Sequence, residues 1–76
     1  MNRRQTEATD RILTACTNYR TGVITRYKMY AQVWAEVDSR NVTLRHAVET
    51  LVDSGTVVNE AVARMRRSDY LNMRTR

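Results

Sequence analysis

The expected fold of this chain follows from the stretch Asn41 to Val58, which reads N-V-T-L-R-H-A-V-E-T-L-V-D-S-G-T-V-V. Its apolar residues recur with the spacing of one face of an α-helix, and the opposite face is polar. Gly55 follows the periodic part, at a position where a left-handed residue ends a helix at little steric cost. Thr56 to Val58 then has the composition of a β-strand. The pattern predicts a helix over 42–54 that leads into a strand, as a recognition helix leads into a wing. The apolar positions are Leu44, Ala47, Val48, Leu51 and Val52.

Length and charge limit the classes of protein to consider. Seventy-six residues make one small domain, which buries only about 60% of the surface of its unfolded chain. The chain has 13 basic and 8 acidic residues, for a net charge of +5. All the basic residues except Lys28 are arginine, whose guanidinium forks onto phosphate or a guanine edge. The surplus favours a polyanionic partner such as nucleic acid.

The number of cysteines and the lengths of the apolar runs indicate the cellular compartment of the protein. A single cysteine excludes an intramolecular disulfide and favours a reducing compartment. No apolar run approaches the roughly 18 residues that span a bilayer, and no signal-peptide core is present at the start. We therefore expect a cytoplasmic protein without a membrane segment. No internal repeat is expected either.

The N-terminal part predicts a short arm and a first helix. Residues 1–5 are expected to form a mobile basic arm, and residues 6–76 a single domain. Thr6 is the expected N-cap of an amphipathic helix over about 7 to 20. Gly22 is expected to end that helix.

A second helix is expected over about 26 to 37, with Thr25 as its N-cap. Before it, Val23-Ile24 has the composition of a minimal strand. After it, residues 38–41 form a polar link that suits a helix-turn-helix connection. The apolar face of this helix carries Tyr27, Tyr30, Ala31, Trp34 and Val37.

Residues 59–74 have two interpretations. Thr56 to Val58 could extend into a strand that pairs with a second strand over Tyr70 to Met73, with a polar turn at residues 66–69. The segment also contains good helix formers with helical apolar spacing, and Asn59 is a plausible N-cap. We expect the hairpin, because it completes a pattern of three helices and a wing. The predicted fold class is therefore α+β, mostly α, with a winged helix-turn-helix and a C-terminal β-hairpin; the alternative is an all-α four-helix fold.

The run Thr43-Leu44-Arg45-His46-Ala47-Val48, with Leu51, Gly55 and Val57 after it, resembles a known motif. It is similar to T-V-R-x-A-L-x-x-L-x-x-x-G-x-V of winged helix-turn-helix regulators of the GntR-like kind. The preceding Ser39-Arg40 resembles the S-R entry to the recognition helix, with one extra residue in between. The resemblance implies a DNA-binding module similar to small phage, plasmid or excisionase-type regulators.

Candidate contact residues lie on the polar face of the 42–54 helix and in the predicted wing. Arg45 is best placed for guanine O6 and N7, although it could instead form a solvated pair with Glu49. The wing arginines and the Arg3-Arg4 arm would contact phosphates or the minor groove. The candidate DNA-binding residues are Arg40, Asn41, Thr43, Arg45, His46, Arg64, Arg66 and Arg67.

Catalytic and metal sites have little support in the sequence. The only histidine, His46, and the only cysteine, Cys16, fall on different predicted helices without a third partner. Cys16 lies on an apolar face and is expected in the core. His46 and Glu49 have a ligand-like spacing, but two ligands do not make a metal site. We expect no enzyme activity, cofactor, metal or small-molecule ligand.

The expected function is sequence-specific binding of double-stranded DNA by a homodimer, in transcriptional regulation or excisionase-like DNA architecture. The alternative is a small, phage-type protein-binding module that docks on a host protein and inhibits or redirects it. That module would use an apolar surface on the second helix, formed by Met29 and Val33 with Tyr30.

Overall fold

A computed structural model of the protein describes residues 2–75, which form four α-helices and no β-strand. Helix α1 spans Arg3–Arg20, α2 spans Arg26–Asp38, α3 spans Leu44–Asp53 and α4 spans Glu60–Arg74. Helices α1 and α4 each pack against both α2 and α3. None of the four is long and apolar enough to cross a membrane.

Helix α4 occupies the segment for which a hairpin wing was predicted, so the α+β fold class is wrong and the all-α alternative is confirmed. The side chain of Asn59 caps this helix, because its Oδ1 accepts from the Val62 backbone N at 2.9 Å. The β-branched residues that suggested strands lie in the turns between helices. Ile24 packs at the edge of the core and Val57 is buried in it, so these residues anchor the turns.

Arg3, Arg4 and Gln5, which were predicted to belong to a mobile arm, lie in the first turn of α1. The helix begins at Arg3, and its N-cap is Asn2, whose Oδ1 accepts from the Gln5 backbone N at 2.8 Å. Thr6, the predicted cap, therefore lies inside the helix. Met1 lies outside the described residues. Thr25 is confirmed as the N-cap of α2.

The first three helices end in the same way. At each end the residue after the C-cap has a positive φ, which is 81° at Gly22, 61° at Arg40 and 75° at Gly55. The next backbone N–H then bonds to a carbonyl five residues earlier, as in a Schellman motif. These bonds join Val23 to Asn18 at 2.8 Å, Asn41 to Glu36 at 3.0 Å and Thr56 to Leu51 at 3.1 Å.

A short sequence repeat accompanies two of these helix ends. The segments 37–42 and 52–57 read V-D-S-R-N-V and V-D-S-G-T-V. The final valines, Val42 and Val57, are both buried. The repeat places Arg40 where the second copy has Gly55.

The core is built around Trp34, which is fully buried. The Tyr30 ring stacks on it with centroids 5.6 Å apart and an interplanar angle of 10°. Met29 and Val33 are also fully buried, so they cannot form the partner-facing surface that the protein-docking alternative required. The remaining fully buried large side chains are Ile12, Leu51, Val48 and Cys16.

Candidate nucleic-acid interface

The turn between α2 and α3 is held in place by the first turns of α1. Arg4 Nε donates to Asn41 Oδ1 at 2.6 Å, and Asn41 Nδ2 donates to Glu36 Oε1 at 2.8 Å. Arg4 is thereby bonded to the residue that follows Arg40 in the turn. Asn41, predicted to contact DNA, is half-buried and mainly connects α1 to the end of α2.

Glu36 is the acceptor around which this junction is built. Arg11 donates to its two oxygens at 2.9 and 2.7 Å, and the carboxylate side chain is only 13% exposed. Hydrogen bonds from Arg11 and then Asn41 lower the pKa of Glu36, against the opposing effect of burial. The turn therefore has one defined position relative to α1.

The N-terminal end of α3 is exposed and positively polarised. Thr43 is the N-cap, and its Oγ1 accepts from the His46 backbone N at 3.0 Å. The helix thus begins at Leu44, two residues later than predicted. The first-turn N–H groups that remain, together with the helix dipole, favour an anion at this end.

Arg45 projects from this end, and its side chain is 82% exposed. It donates to Glu49 Oε1 at 3.1 Å, an exposed pair one helical turn apart that contributes only tenths of a kcal/mol. Arg40 is also exposed, and it has no carboxylate within ion-pair distance among residues 2–75.

His46 does not face solvent as a base-contacting side chain would. Its Nε2 lies 2.8 Å from Thr9 Oγ1, and the Thr9 hydroxyl donates to the Gln5 carbonyl oxygen at 2.8 Å. One hydrogen bond therefore joins the His46 ring to the Thr9 hydroxyl, and the His46 tautomer sets which of the two donates. His46 therefore connects α3 to α1.

The three arginines predicted for the wing lie on α4 and are used differently. Arg64 is exposed, whereas Arg66 is half-buried against the groove between α2 and α4. Arg67 is only 16% exposed, donates to Asp38 at 2.7 Å and lies over the Trp34 ring at 5.5 Å. Without a wing, these residues do not form a shared phosphate-contacting strip.

Three exposed arginines belong to the segments at the N-terminal end of α3. They are Arg40 in the preceding turn, Arg45 in the first turn of the helix, and Arg4 of α1, which is bonded to Asn41 of the turn. Arg4 was expected to contact phosphates or the minor groove as part of a mobile arm. Asn2 could have indicated that Arg4 lies in a helix, because Asn is a good N-cap residue and a run of helix formers follows it.

The opposite end of α3 is acidic on the same outer side. Glu49 is half-exposed and Asp53 is exposed. Since carboxylates repel phosphate, only the N-terminal turn of α3 suits contact with a polyanion.

Comparisons with protein families, with characterised proteins and with solved structures find no match to this chain. Residues 2–75 contain no group of three or more His, Cys, Asp or Glu side chains that could hold a metal ion. The basic N-terminal end of α3 is therefore the candidate functional site.

Proposed function

We propose that the protein binds double-stranded DNA with sequence specificity, using α2, the turn and α3 as a helix-turn-helix without a wing. The supporting observation is that three exposed arginines belong to the N-terminal end of α3: Arg45 in its first turn, Arg40 in the preceding turn, and Arg4, which is bonded to Asn41 of that turn. Regulation of transcription in the cytoplasm, or shaping of DNA in a recombination complex, would use such a module.

Each of the three arginines has a separate role in this mechanism. Arg4 and Arg40 neutralise phosphates on either side of the groove and contribute affinity without sequence preference. Arg45 leaves its weak pair with Glu49 and donates in bidentate fashion to guanine O6 and N7. The acidic end of α3 keeps the rest of the helix out of the groove.

A single copy presents only one short recognition helix, so the proposal includes a homodimer on two half-sites. Half-sites about 34 Å apart, one turn of DNA, would face the same side of the duplex. A palindromic target is the expected consequence.

The test is binding to fluorescent duplexes, measured by anisotropy across a salt series. A random-sequence duplex should give a log-log slope that corresponds to several released counterions. A preferred site is then selected from a randomised library. Arg45→Ala should reduce discrimination by about 1–3 kcal/mol, whereas Arg4→Ala and Arg40→Ala should weaken all sequences alike and lower the slope by about one each.

Arg20→Ala is the matched control for these three variants. Arg20 donates to the Ser54 carbonyl oxygen at 2.7 Å, so it lies at the other end of α3. Arg20→Ala should select the same DNA site as wild type. It should lower the salt slope less than Arg4→Ala does. No binding at low salt, or equal effects of Arg20→Ala and Arg45→Ala, would refute the proposal.

A further inference from the structure

A second surface, separate from the end of α3, lies between the N-terminal half of α2 and the C-terminal half of α4. We call it the tyrosine groove, and it encloses about 380 Å³. Its apolar lining and its basic rim come from different residues. The apolar part is formed by Tyr27, Tyr30, Tyr70 and Met73, and the rim by Arg26 and Arg66.

The apolar lining leaves large side chains in water. Tyr27 is 50% exposed and Met73 is 56% exposed, although Tyr27 belongs to a formed aromatic pair. That pair is Tyr27 with Tyr70, whose ring centroids are 5.6 Å apart. Exposed aromatic and methionine side chains around a concavity are typical of protein-binding surfaces.

The rim carries positive charge that the chain itself does not neutralise. Neither Arg26 nor Arg66 has a carboxylate within ion-pair distance among the described residues, and Asp69 is the only acidic side chain in the lining. By contrast, Arg67 and Arg74 on the same helix are both paired with Asp38.

Tyr30 is the buried tyrosine of the lining, with 7% of its surface exposed. Burial raises the pKa of Tyr30, and the positive charge of Arg66 opposes this in part. The hydroxyl therefore stays neutral and can donate a hydrogen bond to an acceptor that Arg66 also attracts.

We propose that the tyrosine groove binds an acidic segment of a partner protein, in which an apolar side chain lies next to one or two carboxylates. The apolar side chain would fill the space between the tyrosines and Met73, and the carboxylates would pair with Arg26 and Arg66. The groove has room for one or two side chains. This inference is independent of the DNA-binding proposal, because the α2–α3 turn lies at the other end of α2.

A single-stranded nucleic acid fits the same groove less well. Arg74 covers one face of the Tyr70 ring at 5.7 Å, and Tyr30 is already stacked on Trp34, so few ring faces are open to a base. A continuous phosphate backbone would also approach Asp69, which lies in the lining. A peptide, by contrast with a phosphate backbone, can carry carboxylates only at the positions that lie next to Arg26 and Arg66.

The test starts with selection of random 12-residue peptides on the intact protein, with counter-selection on Met73→Glu. Enriched peptides should combine acidic residues with an aromatic or aliphatic residue. A synthetic copy of the strongest one should bind wild type, with affinity reduced at least about tenfold by Tyr27→Ala and by Arg66→Glu. Met65→Glu is the matched control, because Met65 is a 51% exposed methionine on α4 outside the groove.

Circular dichroism confirms that each variant is folded before affinities are compared. The proposal is overturned if no peptide is enriched, if the enriched peptides lack acidic residues, or if Met65→Glu weakens binding as much as Tyr27→Ala does. It is also overturned if oligo(dT) displaces the peptide and loses affinity in the same groove variants, since the groove would then bind nucleic acid. Retained duplex binding by Arg66→Glu would show that the two surfaces act separately.

Discussion

At the scale of single residues, Arg40 stands out because it adopts the left-handed conformation that glycine adopts at the matching helix ends. Its φ of 61° compares with 81° at Gly22 and 75° at Gly55. A side chain in this conformation costs roughly 1–2 kcal/mol, because its Cβ crowds the following carbonyl. Under the DNA-binding proposal, Arg40 is kept for its guanidinium and not for the stability of the turn.

Arg40→Gly should therefore raise the free energy of unfolding by about 1 kcal/mol, measured by urea denaturation. Gly55→Ala should lower it by a similar amount, although an added methyl group there meets no atom within 4 Å, because the cost is conformational. The same Arg40→Gly variant should bind DNA more weakly. A variant that is both less stable and unchanged in DNA binding would contradict this account.

Glu36 makes the stability depend on pH in a predictable direction. Because its folded pKa lies below the unfolded one, its contacts stabilise the fold above about pH 4.3. That contribution is lost as pH falls through the lower folded pKa. Glu36→Gln should therefore lower stability at pH 7, and its difference from wild type should shrink as the pH falls below about 4.3. Urea unfolding at several pH values measures this, and a difference independent of pH would exclude the explanation.

At the scale of elements, α4 is the helix whose identity the sequence left open. Its first turn depends on Asn59, whose side chain satisfies the Val62 N–H. Asn59→Ala should lower the free energy of unfolding by about 1 kcal/mol, whereas Asn59→Asp should keep most of the stability that the cap contributes. Asn72→Ala, on the exposed side of the same helix, is the control and should change little. Equal stability of Asn59→Ala and wild type would argue against this helix start.

At the scale of the whole molecule, Arg67 joins α4 to the rest of the core. It pairs with Asp38 and covers Trp34, and its side chain is mostly buried. Arg67→Ala should lower the free energy of unfolding by about 2 kcal/mol and leave the salt slope of DNA binding unchanged. Arg64→Ala removes an exposed arginine from the same helix and should change stability by less than about 0.5 kcal/mol. A normal stability of Arg67→Ala would contradict its structural role.

The sequence by itself determined those features that depend on neighbouring residues. The apolar spacing of α3, the Thr25 cap and the left-handed Gly55 were all predicted correctly, because a helix buries one face and ends by local bonds. The buried position of Cys16 followed from the same periodicity. The four-helix alternative could be predicted for the same reason, because the local sequence identifies Asn59 as a plausible N-cap.

Only the tertiary structure decided which of several locally allowed states exists. The run Thr56 to Val58 suits a strand or a turn, and the packing of α4 on α2 and α3 selects the turn. His46 bonds to Thr9, and Arg4 to Asn41, across 37 residues of sequence in each case. No local pattern specifies such pairs, because they form only after distant helices have been brought together by burial of a shared core.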